Sequence, residues 1–323
     1  MTRKVLVTDH VFADLDTERA LLEPHGAELT LADEVDAASL TAAVADAEAM
    51  LVCYAKIPAA VVDAAAEAGV KVISRYGIGF DNIDIEAATR NGIVVTYVPD
   101  YCQDEVADHT LGLLLGLARG IVDADRDVRK GEWAVPQGSV HRLQGRRLAV
   151  IGAGGIGRKV ISRAQAFGYE IVAYDPFIED WDLGVERAET LDEAFAEADG
   201  ITLHAPMTEE NRHMIGRESI AKMNRSPIVV NTSRGPLVEM DAAAEALESG
   251  ALSGVALDVT EEEPPPADHL LRRHPRAILT PHMGFYSIEA QQELQRRAAA
   301  EVVRALTGEP PDRPVNPEVL SAA

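Results

Sequence analysis

A glycine-rich turn between an apolar strand and a helix restricts this chain more than any other feature. Residues 152–157, GAGGIG, directly follow the strand-like run LAVI at 148–151 and open a helical stretch at 158–167. Gly152 permits a tight turn, Gly154 allows an anion to approach the main chain, and Gly157 allows the helix to pack closely on the strand. The helix N-terminus presents unpaired N–H groups and a positive dipole end. Gly155 and Ile156 would then lie over a bound pyrophosphate.

The strand that follows this turn ends in a carboxylate. Residues 170–174 read as a strand, and Asp175 comes next, eighteen residues after Gly157. At this distance a carboxylate accepts both ribose hydroxyls of NAD and repels the 2′-phosphate of NADP. The sequence therefore predicts NAD as the cofactor.

Strands alternate with helices of about ten residues along most of the chain, which is typical of βαβ units and parallel sheets. One series runs through the first hundred residues, and a second starts near 145. The pattern predicts one long helix over 103–130, which would bridge two α/β units, and a last helix over 288–307 that folds back onto the first unit.

Composition restricts the partners and the cellular compartment. The 53 Asp and Glu residues outnumber the 30 Lys and Arg residues, so the formal net charge is −23. Such a surface repels nucleic acid and anionic membranes. The N-terminal sequence lacks the apolar region of a signal peptide, no apolar run is long enough to span a bilayer, and Cys53 and Cys102 have no metal-ligand spacing. We expect a cytoplasmic protein without a metal site, whose acidity reflects either a halophilic host or a compositional bias.

Further positions carry side chains suited to acid, base or anion chemistry. Arg234 follows the apolar strand 228–230, and His282 follows the strand 277–280. Ligands of open α/β sheets bind beyond the carboxyl ends of strands, so both side chains are candidates for a site. An arginine there can hold a carboxylate with two hydrogen bonds, and a histidine can transfer a proton near neutral pH. Among the glutamates at 261–263, spacing alone does not select a partner for His282.

The chain resembles the D-isomer-specific 2-hydroxyacid dehydrogenase family over nearly its full length. The matching stretches, in order, are RYGIGFDNID at 75–84, VADHTLGLLL at 106–115, GAGGIG at 152–157, YDPF at 174–177, NTSRGPLV at 231–238, GVALDVTEEEP at 254–264 and TPHMG at 280–284. Within the family, DEVADHT at 104–110 and PHMGFYS at 281–287 look closest to the branch of C-terminal-binding proteins. The chain departs from that branch at Phe285, where the branch carries a tryptophan.

This resemblance implies two Rossmann/flavodoxin-like α/β domains with parallel sheets. A substrate-binding domain would be formed from both chain ends, 1–98 and 286–323, and an NAD-binding Rossmann domain would span 99–285. Family members commonly form homodimers through the nucleotide-binding domain, by a segment like 103–130.

The same resemblance assigns roles to individual residues. Arg234 would bind the substrate carboxylate and carbonyl, His282 would transfer the proton, and Glu263, directly before the proline, would hold His282. Asp258 would lie at the nicotinamide carboxamide. Further cofactor contacts would come from Thr110, Pro206, Thr232, Ser233 and Gly284. The substrate would meet Phe285 and the loop Arg75, Tyr76, Gly77, Ile78 and Gly79, whose backbone N–H groups would bind its carboxylate.

These features predict an oxidoreductase that transfers a hydride between NAD(H) and C2 of a small D-2-hydroxy or 2-oxo acid. The alternative from another class is a corepressor-like protein that senses NAD(H) with little or no turnover. An NADP-linked reductase of the same fold is opposed by Asp175. The sequence does not select the acid.

Overall fold

In the computed structural model the described residues are 3–135 and 140–321. The strands are β1 (Arg3–Val7), β2 (Ala27–Leu31), β3 (Ala49–Val52), β4 (Val72–Arg75), β5 (Val94–Thr96), β6 (Arg147–Ile151), β7 (Glu170–Tyr174), β8 (Glu186–Arg187), β9 (Gly200–Leu203), β10 (Ile228–Asn231), β11 (Gly254–Leu257) and β12 (Ala277–Leu279). The α-helices are α1 (Asp16–Leu22), α2 (Ala37–Ala43), α3 (Ala59–Ala68), α4 (Ile85–Arg90), α5 (Gln103–Ala118), α6 (Ile121–Arg129), α7 (Gly155–Ala166), α8 (Leu191–Ala196), α9 (Arg217–Ala221), α10 (Met240–Ser249), α11 (Ile288–Thr307) and α12 (Glu318–Ser321).

The first compact unit contains both ends of the chain, residues 1–101 and 287–323. Its five strands form a parallel sheet in the order β2-β1-β3-β4-β5. Apolar side chains cover both faces of the sheet, as parallel sheets require. On one face, α11 contributes Leu294, Ala298, Val302 and Leu306 to the core. The hydroxyl of Ser74 on β4 donates to the Ala298 carbonyl oxygen at 2.9 Å, which ties this helix to the sheet.

The second unit, residues 102–286, contains a seven-stranded sheet in the order β12-β11-β10-β9-β6-β7-β8. All of its strand pairs are parallel. Four of its strands, β6, β9, β10 and β11, are almost fully buried between two apolar clusters. The parallel arrangement brings the loops after β10, β11 and β12 to one edge, because these three strands are adjacent.

The predicted fold class, two α/β units with parallel sheets, is confirmed. The predicted breaks after residues 98 and 285 lie three residues and one residue before those of the structure, at 101 and 286. The single helix predicted over 103–130 is wrong. Gly120, with a φ of +61° in the left-handed region, separates α5 from α6 and redirects the chain. Over the described residues, no helix combines the length and the apolarity that a bilayer crossing needs.

Candidate active site

The glycine turn connects β6 to α7 as the sequence predicts. A Cβ at Gly152, where φ is +88°, would lie 2.7 Å from the main chain of His204, and one at Gly157 would lie 2.1 Å from the Gly152 carbonyl oxygen. Both positions therefore require glycine. A Cβ at Gly154 would meet nothing within 4 Å, so the space beside Gly154 is open, whereas a Cβ at Gly155 would lie 2.5 Å from the Gln103 side-chain amide. Gly154 caps this helix without a side-chain hydrogen bond, which leaves the N–H groups of the first turn to a ligand.

Asp175 lies directly beside this turn, at the end of β7. Its carboxylate accepts a hydrogen bond from the Ala153 N–H at 2.9 Å and one from the Phe177 N–H at 3.0 Å, each on a different oxygen. Every carboxylate oxygen can accept two hydrogen bonds, so both oxygens retain capacity for ribose hydroxyls. The open helix N-terminus and this oriented carboxylate together fit the pyrophosphate and the ribose of a dinucleotide.

Arg234 lies in the turn after β10, and that turn packs against the loop after β11. A Cβ at Gly235 would lie 2.0 Å from the Thr260 carbonyl oxygen, so the two loops touch through their main chains. The Asn231 amide donates to the Arg234 carbonyl oxygen at 2.7 Å and fixes the turn. The half-buried Arg234 guanidinium donates to the Ser233 carbonyl oxygen at 2.8 Å.

Glu263 and His282 are in direct contact. Nδ1 of His282 lies 2.9 Å from Oε2 of Glu263, and Oε1 of Glu263 accepts from the Thr260 N–H at 3.2 Å. Glu261 is engaged elsewhere, because its Oε1 lies 2.7 Å from Nε2 of His213 and 2.9 Å from the Arg212 guanidinium. The geometry therefore selects Glu263 over Glu261 as the partner that the sequence alone left open.

The environment of this pair keeps Glu263 ionised. Burial by itself raises the pKa of Glu263, but the hydrogen bond and the charge of His282, with the Thr260 N–H, bring the pKa below its ordinary value. Since an ionised carboxylate only accepts, Nδ1 of His282 carries the hydrogen of the shared bond. Nε2 is then the ring nitrogen that takes no part in this bond. The pair borders a cavity of about 340 Å³.

The remaining predicted cofactor residues also lie at the carboxyl edge of this sheet. The buried hydroxyl of Thr110 is 2.8 Å from that of Thr232, and the Ser233 hydroxyl donates to the Ala205 carbonyl oxygen at 2.5 Å. Pro206 follows Ala205 in the exposed loop after β9. The rings of Phe285 and His282 form a T-shaped pair, with centroids 6.4 Å apart and an angle of 76° between the ring planes.

The predicted substrate loop belongs to the first unit and is more restricted than the sequence suggests. The Tyr76 N–H already donates to the Val52 carbonyl oxygen at 2.8 Å, and the Gly77 N–H donates to that of Arg75 at 3.0 Å. These two N–H groups are therefore engaged within the chain, and the contact of the loop 75–79 with the substrate carboxylate stays a prediction. In the described chain, the N–H groups of Ile78 and Gly79 have no such acceptor. The Tyr76 ring is buried, and its hydroxyl donates to Glu18 at 2.9 Å.

Two side chains near His282 were missed by the sequence reasoning. His109 of α5 lies with Nε2 3.0 Å from the Thr280 hydroxyl oxygen and 3.3 Å from Oδ1 of Asp258. Both residues stand inside stretches that carry the family resemblance, so their presence was visible. Their contact was not, because 171 positions separate them in the chain.

Comparison with known proteins gives consistent results. The sequence profile of the D-isomer-specific 2-hydroxyacid dehydrogenase NAD-binding domain matches residues 111–284. The chain is 40% identical over 317 residues to the D-3-phosphoglycerate dehydrogenase of Methanocaldococcus jannaschii; the match covers 97% of the chain but only 59% of that protein. It is 39% identical to the glyoxylate reductase of Thermofilum pendens, over 82% of the chain and 80% of that protein.

Among solved structures, the chain resembles D-lactate dehydrogenase from Aquifex aeolicus complexed with NAD and lactic acid. The TM-score is 0.85 at 27% identity, and the match covers 98% of each chain. None of these three relatives is a C-terminal-binding protein, so the closer placement in that branch stays a prediction.

Proposed function

The chain belongs to the D-isomer-specific 2-hydroxyacid dehydrogenase family of NAD-dependent oxidoreductases, and on this premise we propose that it reduces small 2-oxo acids to D-2-hydroxy acids, and catalyses the reverse, with Arg234, Glu263 and His282 as its catalytic group. The observation that carries the proposal is the 2.9 Å contact between Glu263 and His282, at the strand edge that also carries Arg234. The bound nicotinamide supplies or takes up the hydride at C2.

The residues of the chain perform the remaining steps. The Arg234 guanidinium binds the substrate carboxylate and stabilises the negative charge that develops on the carbonyl oxygen. His282, oriented by Glu263 through Nδ1, donates a proton to that oxygen from Nε2 in the reductive direction. In the oxidative direction Nε2 takes the proton from the hydroxyl.

The substrate class is tested by following NADH consumption with glyoxylate, hydroxypyruvate and pyruvate, and NADH formation with D-3-phosphoglycerate. We expect turnover with at least one of these acids, and a loss of about 10²- to 10⁴-fold in kcat for His282→Ala. A chain that binds NADH tightly but turns over none of them would instead support the corepressor-like alternative. The intact Glu263–His282 contact does not support that alternative.

Asp175 makes NADH the preferred cofactor in this proposal. Its carboxylate, fixed by the Ala153 and Phe177 N–H groups, would face the 2′-phosphate of NADPH. We expect a higher kcat/KM with NADH than with NADPH. Asp175→Asn should bring the two values of kcat/KM closer together, because it removes the repulsion of the 2′-phosphate. Equal efficiency of the unmodified protein with both cofactors would contradict this assignment.

A homodimer formed through the nucleotide-binding unit is also part of the proposal. Helix α6 buries none of its residues, and the segment that follows it carries Trp133, which is 90% exposed. A second copy of the chain would cover this apolar surface. Light scattering should give the mass of a dimer, and Trp133→Asp should lower it. The control Val35→Asp, at an exposed apolar residue of the other unit, should not change the mass.

We place the protein in the cytoplasm, because Cys53 and Cys102 are both buried and form no disulfide, as expected in a reducing compartment.

A further inference from the structure

Three consecutive backbone N–H groups converge on one residue beside the proposed acid/base. The His282 N–H donates to the Asp258 carbonyl oxygen at 2.8 Å. The next two, of Met283 and Gly284, donate to the two carboxylate oxygens of Asp258 at 2.9 and 2.8 Å. Asp258 is only 3% exposed. Hydrogen bonds to a single buried residue, Asp258, thus hold the main chain of residues 282–284.

These hydrogen bonds hold the backbone of His282 in a conformation that it would otherwise disfavour. Its φ is +51°, in the left-handed region that residues with a Cβ rarely adopt. A conformation of this kind persists only where the surroundings fix it. The direction of the imidazole therefore depends on the position of the Asp258 carboxylate.

The carboxylate is itself held from its other side by two side chains. The Thr280 hydroxyl donates to Oδ1 at 2.6 Å, because a carboxylate can only accept. A lone pair of the Thr280 oxygen then faces Nε2 of His109 at 3.0 Å, so this nitrogen carries a hydrogen. Burial alone raises the pKa of Asp258, but the hydrogen bonds from His109, Thr280, Met283 and Gly284 bring that pKa below its ordinary value, and the group stays ionised at neutral pH.

We propose that His109 and Thr280 are positioning residues for His282: they orient the Asp258 carboxylate, which in turn fixes the turn 282–284 and the direction of the imidazole. The inference rests on the proposed function, in which His282 transfers the proton. Neither residue touches the substrate in this scheme. Their effect on turnover passes through a chain of hydrogen bonds that starts at His109 on α5 and runs through Thr280 and Asp258 to the loop after β12. We call this chain of hydrogen bonds the relay.

The matched pair Thr280→Val and Thr280→Ser tests the relay at its centre. Valine keeps the shape and removes the hydroxyl, whereas serine keeps the hydroxyl. We expect Thr280→Val to lower kcat by about 10- to 100-fold, because misplacing a reacting group by an ångström has an effect of this size. The dissociation constant of NADH, measured by fluorescence, should stay within about twofold, and serine should restore most of kcat.

Several outcomes would overturn the proposal. Thr280→Val with normal kcat, or Thr280→Ser as impaired as valine, would show that the hydroxyl does not position His282. Weaker NADH binding with unchanged kcat would show that the relay serves the cofactor instead. Thermal melting of each variant identifies any global loss of the fold, and a melt like that of the unmodified protein is expected for the serine variant.

A double-mutant cycle tests His109. His109→Ala should lower kcat, His109→Gln should restore part of it through its amide N–H, and adding Thr280→Val to His109→Ala should cause little further loss, since both act on one carboxylate. Independent, multiplying effects of the two substitutions on kcat would exclude His109 from the relay.

His282→Ala separates the inference from the proposed function on which it rests. If His282→Ala retains full turnover, the proposed role of His282 fails. An inactive His282→Ala together with a normal Thr280→Val rejects the relay alone.

Discussion

Glu263 and His282 are coupled through the hydrogen bond that they share. The pKa of Glu263 lies below its ordinary value of 4.5, so the carboxylate is ionised throughout the neutral range. It can therefore accept the hydrogen of Nδ1 of His282 across that range. In the proposed mechanism reduction needs a protonated His282, and oxidation needs a neutral one.

We therefore expect Glu263→Gln to move the pH profiles of both directions. The variant removes the negative charge that lies beside Nδ1 of His282, so the falling limb for 2-oxo acid reduction should move to lower pH. The rising limb for hydroxy acid oxidation should move the same way. The measurement is kcat/KM against pH in both directions. Glu261→Gln is the control, and it should leave both profiles in place because Glu261 contacts Arg212 and His213.

The same carboxylate has a predictable effect on stability. A pKa lowered by folding means that Glu263 stabilises the native state above the unfolded pKa of about 4.5 and that this contribution is lost as pH falls through the lower folded value. The stability difference between the unmodified protein and Glu263→Gln should thus be largest near neutral pH and vanish in acid. Urea unfolding at several pH values measures it; a constant difference would contradict the coupling.

At residue scale, the sequence identified Arg234 and His282 from their places after buried strands. It could not choose Glu263, because three adjacent glutamates have the same local pattern and only the fold brings one of them to Nδ1 of His282. It also could not find His109, whose partners come from strands far along the chain. Contacts of this kind depend on which strands become neighbours, and local periodicity does not contain that information.

At the scale of elements, the turn between β6 and α7 separates the requirements of folding from those of binding. Alanine at Gly157 would place its methyl group 2.1 Å from the Gly152 carbonyl oxygen, whereas alanine at Gly154 would enter open space. We expect Gly157→Ala to lower the melting temperature and Gly154→Ala to leave it nearly unchanged.

Binding should give a different result for Gly154→Ala. Its methyl group would occupy the space where a pyrophosphate approaches the helix N-terminus, so the dissociation constant of NADH should rise by about tenfold or more, the change expected for about 1.4 kcal/mol. Calorimetry with NADH measures this constant. A Gly154→Ala variant that binds NADH normally would show that the cofactor does not approach this part of the turn.

The elements also show where a sequence pattern loses information. Apolar periodicity and glycines at helix ends predict the strands, helix α11, and helix α3, which ends at the left-handed Gly69. They do not predict the break at Gly120, because a helical pattern continues on both sides of it, apolar before the glycine and amphipathic after it. A glycine inside such a pattern is compatible with an uninterrupted helix or with a change of direction, and packing decides between them.

At the scale of the whole molecule, the net charge of −23 should make stability depend on salt. Many surface carboxylates repel one another in dilute buffer, and salt screens this repulsion over a Debye length of about 3 Å at 1 M. We expect the melting temperature to rise substantially between dilute buffer and molar KCl if the acidity is an adaptation to a saline cytoplasm. A flat or falling curve would support a compositional bias instead.

The first unit closes only with the last part of the chain, and this has a consequence for synthesis on the ribosome. All five strands of its sheet are made within the first hundred residues, but α11, which covers one face with Leu294, Ala298, Val302 and Leu306, is made after the whole second unit. The nascent sheet therefore lacks part of the cover of this apolar face while residues 102–286 are translated, and the second unit can fold first although it comes later in the sequence. A chain stopped at residue 286 should bind chaperones and aggregate through that face, and a peptide of residues 287–323 added in trans should reduce the aggregation. For this protein, the time that the ribosome needs for residues 102–286 sets how long that face stays exposed.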